Sequence, residues 1–182
     1  MIITDEKILR QVSEQINMTH PNVVDIINKH IADLEYHLTN SQIKGYGLSA
    51  IQIGVPLALS IIRMPNLKLD IINPIILELN DPIVFRGEGC LSFPGKYTNT
   101  SRFDEITIEN TCIDGTRQKL VFTGLEAVVV QHEICHHSGD LFMDHQLKPI
   151  TVGVKFGRND PCPHCLEKGV NIKFKKCKEH YL

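Results

Sequence analysis

His132, Glu133 and His136 form an H-E-x-x-H sequence. On a helix, positions i and i+4 share a face, so both imidazoles reach one metal ion. The glutamate beside the first histidine can take a proton from water that the metal has acidified. A catalytic site of this kind needs three protein ligands and one open position. Cys90, Cys112, His137 and His145 are the candidates for the third ligand. His137 follows His136 directly, so on a helix it points about 100° away. Cys112 lies in a strand-like stretch, where a cysteine usually serves as a small apolar residue. Cys90 sits in Gly87-Glu88-Gly89-Cys90-Leu91-Ser92, whose glycines let the backbone bend towards another group. Spacing alone leaves the choice open. A second cluster lies near the C-terminus, where Cys162-Pro-His-Cys165 and Cys177-Lys-Glu-His180 read as C-x2-C and C-x2-H. Two close pairs of this type describe a closed structural zinc site, with His164 as an alternative to His180. Zinc there would tie down a segment too short to have its own core.

The elements that must position these groups follow from local pattern. Thr123 and Glu126 make a T-x-x-E capping box and Gly139 offers a stop, so a helix is predicted between them. The run Ala127-Val-Val-Val130 predicts that this helix is buried, and buried histidine and glutamate need partners. Residues 4–18 and 22–39 also read as helices. The second carries Val23, Val24, Ile26, Ile27, Ile31, Leu34 and Leu38 at roughly helical spacing. The stretch 44–50 is glycine-rich and should be irregular or tightly extended. Residues 57–63, 69–79 and 83–86 read as strands. Residues 104–111 and 117–122 should pair around Ile113-Asp-Gly-Thr116. The whole reads as an α+β domain, with N-terminal helices and small antiparallel or mixed sheets around a central helix that carries H-E-x-x-H.

Composition bounds the function classes. The chain has 182 residues, 42% hydrophobic and 22% charged, with a formal net charge of −2. That is ordinary globular composition, not a general nucleic-acid or membrane binder. No apolar run approaches the length of a bilayer span. The start MIITDEKILR is acidic where a signal peptide would be basic, so a cytoplasmic protein with reduced cysteines is expected. Charge is uneven. From Lys155 onward there are seven Lys/Arg against three Asp/Glu, and before it twelve against eighteen. A boundary is therefore placed near residue 153, with a catalytic domain over 1–153 and a basic tail over 154–182.

Three stretches together resemble the peptide deformylases. Gly45-Tyr46-Gly47-Leu48-Ser49-Ala50-Ile51-Gln52 is similar to a G-x-G-L-A-A-x-Q motif, Glu88 to Ser92 reads E-G-C-L-S, and Gln131 to His136 is similar to Q-H-E-x-D-H. The resemblance implies that Cys90, His132 and His136 hold one metal, most often ferrous iron, with zinc, nickel or cobalt as substitutes. It implies that Glu133 takes the water's proton and later protonates the leaving amine. Gln52 and the Leu91 backbone N–H would stabilise the oxyanion. Gly45 and Gly47 would pair with the substrate peptide, an N-formylmethionyl nascent chain, and Tyr97 would stand at the peptide cleft, where many relatives have a basic residue. Ser49 replaces the usual alanine and is expected to be silent. Cys135 replaces the usual aspartate and is expected to tune ligand positioning. Glu88 and Arg102 are either a buried pair bracing the Cys90 loop or two unpaired surface charges. The tail resembles the zinc-binding motif at the end of SecA, although both ligand pairs are spaced more widely here. It would bind a structural zinc through Cys162, Cys165, Cys177 and His180, and its basic charge suits ribosomal RNA. A monomer is favoured. The rival readings are a zincin-type peptidase, with Asp144 or His145 as third ligand, and an inactive ribosome-associated module.

Overall fold

The computed structural model describes residues 1–147. The tail and its cysteines lie outside the described residues. The chain begins with a one-turn helix α1 (Glu6–Leu9), capped by the Asp5 side chain, and then a longer helix α2 (Val23–Thr39). Three strands follow: β1 (Gly47–Ser49), β2 (Leu59–Arg63) and β3 (Lys68–Ile72). They form an antiparallel sheet in chain order. A second antiparallel sheet is built from β4 (Ile75–Gly89), β5 (Tyr97–Thr111) and β6 (Arg117–Thr123), again in chain order. Helix α3 (Gly124–His137) continues directly from β6, and a 3₁₀ turn covers Phe142–His145.

The helix expected over 4–18 shrinks to α1. Beyond it the backbone is irregular, with one isolated bridge from Glu14 to Leu57, and several of its donors and acceptors are satisfied across the chain. Glu14 N–H donates to the Pro56 carbonyl, and the Glu14 carbonyl accepts from Ala58 N–H, both at 2.8 Å. Ile16 exchanges two bonds with the Asn73 side-chain amide. These pairings replace the helical ones, and Val12 is exposed. In α2 the stripe narrows. Val23, Ile27 and Leu34 are buried, while Val24 and Ile26 face solvent.

Residues 75–89, expected as parts of two strands, form a single long β4 interrupted by two register shifts. Pro82 is tolerated because β4 is the edge of its sheet and need not donate on both sides. The β5–β6 pairing begins at Thr111 opposite Arg117, around the expected turn. Thr123 does precede α3, but its side chain makes no capping bond, so the expected capping box is not formed. At the far end Gly139 has φ +76°, and a Cβ there would lie 2.4 Å from the Arg10 carbonyl. A side chain is excluded on both counts.

Three apolar clusters hold these layers together. One packs Ile27 and Leu34 of α2 on Leu48, Leu59 and Ile61 of the first sheet. A second packs Ala127, Val130 and Ile134 of α3 between Ile62 and Ile71 of the first sheet and Ile106 and Phe122 of the second. The third gathers Leu9, Phe93, Leu141 and Phe142, with Cys90 against it. Polar clamps fix the registers. The Gln131 amide on α3 exchanges two bonds with the Phe103 backbone on β5. Asn110 on β5 reaches across to the backbone of Asp70 and Ile72 on β3. Among the described residues, no helix is long and apolar enough to cross a membrane.

Candidate active site

One turn of α3 presents His132 and His136 on one face, as the i, i+4 spacing requires. The chain leaving β4 brings Cys90 to the same place, and a turn from Cys90 C=O to Phe93 N–H fixes it there. The ligand atoms of Cys90, His132 and His136 all lie within 4.8 Å of one another. Cys90 Sγ is 3.5 Å from His136 Nε2. Spacing left four residues open as partner of the two histidines, and the fold brings Cys90. His137 is turned away, Cys112 lies just past the far end of β5, and His145 Nε2 is 3.5 Å from the Cys135 sulfur. Asp144 is gripped by both terminal nitrogens of Arg10.

A buried hub orients the first histidine. His132 Nδ1–H donates to Glu88 Oε1 at 2.6 Å, which leaves Nε2 for a metal. Glu88 also accepts from Thr100 Oγ1 at 2.5 Å and from two nitrogens of Arg102. Both Glu88 and Arg102 are buried, at 4% and 2% exposure. Of the two readings of this pair, the structure has the buried one. Burial works against the Glu88 carboxylate, but the bonds from His132 and Arg102 hold its pKa well below the ordinary range. The remaining Arg102 nitrogen reaches the Cys135 sulfur at 3.4 Å, so the thiol occupies an acceptor position on the same hub.

The two imidazoles are pulled apart in their proton affinity. Burial opposes a charge on His132, yet the neighbouring Cys90 sulfur and Glu88 carboxylate raise its pKa well above the ordinary value. His136 is pushed well below by burial and by the positive charge of His132. Its Nδ1 is buried with no hydrogen-bond partner among the described residues. One thiol and two imidazoles whose ligand atoms converge within 4.8 Å are a donor set that a divalent cation such as iron, zinc, nickel or cobalt fits, the cation replacing protons.

Glu133 lies beside this triad, 3% exposed. Burial raises its pKa, while the charge on His132 and a bond from Ser49 pull the other way. Its Oε1 lies against Gly47, where an added Cβ would come within 2.5 Å. Only glycine admits that approach. Gln52 sits in the 3₁₀ turn Ala50–Ile53 that follows β1. Its Oε1 accepts from Ser49 N–H at 2.8 Å, so its Nε2 must face the other way, 3.3 Å from Cys90 Sγ and 3.1 Å from Ser92 Oγ. These groups edge a cavity of about 260 Å³. Leu125, Val128 and Val129 give it an apolar wall, and Gly45, Leu91 and Tyr97 also line it. Tyr97 is exposed and lies against Gly89 on the paired strand.

The sequence model for "Polypeptide deformylase" matches residues 1–151. This chain belongs to that family. It is 36% identical over 163 residues to the peptide deformylase of Agrobacterium fabrum, covering 86% of this chain and 92% of that one. It is 31% identical to the chloroplastic peptide deformylase 1B of Oryza sativa, over 85% of this chain and 57% of that longer protein. The crystal structure of a peptide deformylase from Legionella pneumophila superposes with a TM-score of 0.71 at 31% identity, over 82% of this chain and 86% of that one. The fold is therefore the deformylase fold, with its small antiparallel sheets and helices.

Sequence reading missed two features of the site. The His132–Glu88 bond joins the E-G-C-L-S loop to the helix, and only the three-dimensional fold reveals it. The other is a group of buried polar side chains, Ser49, Ser60 and His137, behind Glu133. Ser49, expected to be silent, donates to Glu133 Oε2 at 2.7 Å. The available signal was two serines within apolar strand sequences and a histidine beside the H-E-x-x-H motif.

Proposed function

We propose that Cys90, His132 and His136 hold the catalytic metal, that Glu133 carries the proton, and that Gln52 and Leu91 stabilise the oxyanion. As a deformylase the protein is a metal-dependent hydrolase. It removes the formyl group from formylmethionine at the N-terminus of newly made polypeptides and releases formate. The observation that carries the assignment of roles is the convergence of three ligand atoms within 4.8 Å, beside a buried carboxylate at a cavity edge. A divalent cation held there supplies Lewis acidity, which makes water acidic enough to react near neutral pH. Glu133 takes a proton from the attacking water at Oε1, the oxygen facing Gly47. The water oxygen bonds to the formyl carbon and the carbonyl oxygen gains charge. Gln52 Nε2 and the Leu91 backbone N–H donate to that oxygen, each contributing about 3 kcal/mol in comparable sites. Glu133 then gives its proton to the amine nitrogen as the C–N bond breaks. The wall of Leu125, Val128 and Val129 suits a methionine side chain. Gly45 and Gly47 lie where an extended peptide can add to the edge of β1. Tyr97 at the rim contacts residues beyond the methionine.

Ferrous iron is the native metal in this reading, with the Cys90 thiolate making the site liable to oxidation. The protein acts in the cytoplasm as a monomer. Residues 154–182 form a separate basic tail, a boundary supported by the end of the family match at 151 and by the charge asymmetry. In the tail, Cys162, Cys165, Cys177 and His180 hold a structural zinc resembling that of SecA, and its charge carries it to the ribosome.

Formate release from a formylmethionyl peptide tests the core of this reading, using enzyme loaded anaerobically with ferrous iron. Glu133→Ala should abolish release with the metal still bound. Release that survives in Glu133→Ala would overturn the role of Glu133. For the tail, deletion of residues 156–182 should reduce co-sedimentation with ribosomes, and unchanged co-sedimentation would end that proposal.

A further inference from the structure

Glu133 and three polar groups behind it, away from the cavity, stand in line. Ser49 Oγ is 2.7 Å from Glu133 Oε2 and 2.7 Å from Ser60 Oγ. Ser60 Oγ is 2.6 Å from His137 Nε2. All four residues are buried, with Ser49 and Ser60 fully so. The serines are direct partners in the β1–β2 register, and Glu133 and His137 are one turn apart on α3. Two strands and a helix therefore meet in one polar seam within an apolar core.

Counting protons gives the seam a direction. A carboxylate only accepts, so the single Ser49 hydroxyl proton must go to Glu133. Its other nearby acceptor, the Glu133 carbonyl at 3.0 Å, lies on the same residue. Ser49 then accepts from Ser60, and Ser60 accepts from His137 Nε2–H. Reversing any one of these bonds would leave a close contact in the line, hydroxyl to carboxylate or hydroxyl to hydroxyl, with no proton between its atoms.

We propose that Ser49 and Ser60, aligned by His137, are positioning residues that pin Glu133 by Oε2 and so present Oε1 to the reacting water. The line holds the carboxylate from behind, where it does not touch substrate. With Oε2 occupied by a donor, Oε1 is the oxygen left to take and return the proton. Gly47 clears the space in front of that atom. Without the line, a buried glutamate with free χ angles spreads over several rotamers, and only one is productive. The inference rests on Glu133 being the proton carrier.

The test is a set of single and paired substitutions in the full chain. Ser49→Ala should lower kcat about tenfold with KM unchanged and one metal still bound, as loss of a bond to a charged group implies, and Ser60→Ala should lower kcat by less, through the bond it makes to Ser49. The pair should lose no more than about twice what Ser49→Ala loses alone, since members of one line are not additive. His137→Gln, which keeps a donor, should retain most of the activity, and His137→Leu should not. Full kcat in Ser49→Ala, losses that multiply, or a loss confined to KM would each overturn the proposal. Thermal unfolding of the metal-free protein reads the same line without turnover. There Ser60→Ala should lower Tm less in the Ser49→Ala background than in the wild type, and equal drops would overturn it. Inactivity of the wild type beside a coupled thermal cycle would sink the role of Glu133 while leaving the line in place.

Discussion

Replacing Arg102 by methionine should destabilise the metal-free protein by about 3–5 kcal/mol, the cost of breaking a buried ion pair. The figure follows from what surrounds the pair. Arg102 and Glu88 are 2% and 4% exposed, so neither can be rescued by water. Two of the four bonds to Glu88 come from Arg102, at 2.9 and 2.5 Å. The variant leaves a carboxylate in a dry pocket with only Thr100 and His132 as donors. For a chain of this size the loss corresponds to a Tm drop of about 6–20 °C. A second consequence concerns His132, whose ring is held by Glu88. A carboxylate no longer anchored by Arg102 can shift or protonate, and metal affinity should fall about 10–100-fold. Differential scanning calorimetry of the metal-free protein and competition with a chromophoric chelator measure the two effects. Removing both charges with Arg102→Met and Glu88→Met should cost less than the sum of the single changes, because neither member of the Arg102–Glu88 pair is left buried without the other. A Tm drop under about 2 °C, or strict additivity, would refute the hub as an energetic unit.

Gly47→Ala places a Cβ about 2.5 Å from Glu133 Oε1. It should lower kcat on the order of 100-fold by displacing that oxygen, with metal content unchanged, as read by formate release. Cys90→Asp should lose nearly all bound metal and activity, as measured by elemental analysis beside turnover. A peptidase using a ligand downstream of the helix would tolerate that change. Asp144 accepts from Arg10 and from Leu141 N–H, which together hold its pKa below the ordinary 3.8 despite partial burial. Its stabilisation is therefore present above about pH 4 and is lost as pH falls through the lower folded value. Since Arg10 and Asp144 are 40% and 37% exposed, Asp144→Asn should cost only about 1 kcal/mol at pH 7, and nothing in strong acid. Urea titrations at both pH values check this. Finally, Cys162→Ser with Cys165→Ser should remove one equivalent of zinc and leave formate release intact.

Local pattern reached the elements whose signals are local. The stop at Gly139 was legible because a helix end needs a left-handed residue. The β5–β6 hairpin was legible because its turn carries Asp-Gly. The first eighteen residues misled for the opposite reason. They read as a helix, but Asn73 and the Pro56–Ala58 backbone offer partners that only the folded protein brings near. Pro82 and Asn80 made β4 look like separate pieces. Turn-forming residues break a strand only when both edges must pair, and β4 has one free edge. The T-x-x-E signature marked where α3 begins, although Thr123 does not close the box.

The site divides along the same line. His132, Glu133 and His136 stand together in sequence because one helical turn makes them neighbours, so their shared chemistry could be stated before any fold was known. From spacing Cys90 could be suspected and not chosen, since its approach depends on where a fifteen-residue strand ends, and only the E-G-C-L-S resemblance singled it out. Ser49 shows the limit most clearly. Judged by volume, serine for alanine is a silent exchange. Judged by its neighbours, it adds the one proton that a buried carboxylate lacks, and that proton is useful only if Ser60 and His137 supply the next two. No window of sequence holds positions 49, 60 and 137 together. Each polar residue, placed singly in an apolar core, should cost stability, and the cost is offset only when all are present. A change at one of them is therefore best judged with the other two, and a serine at 49 without a donor behind it should behave differently from the serine here.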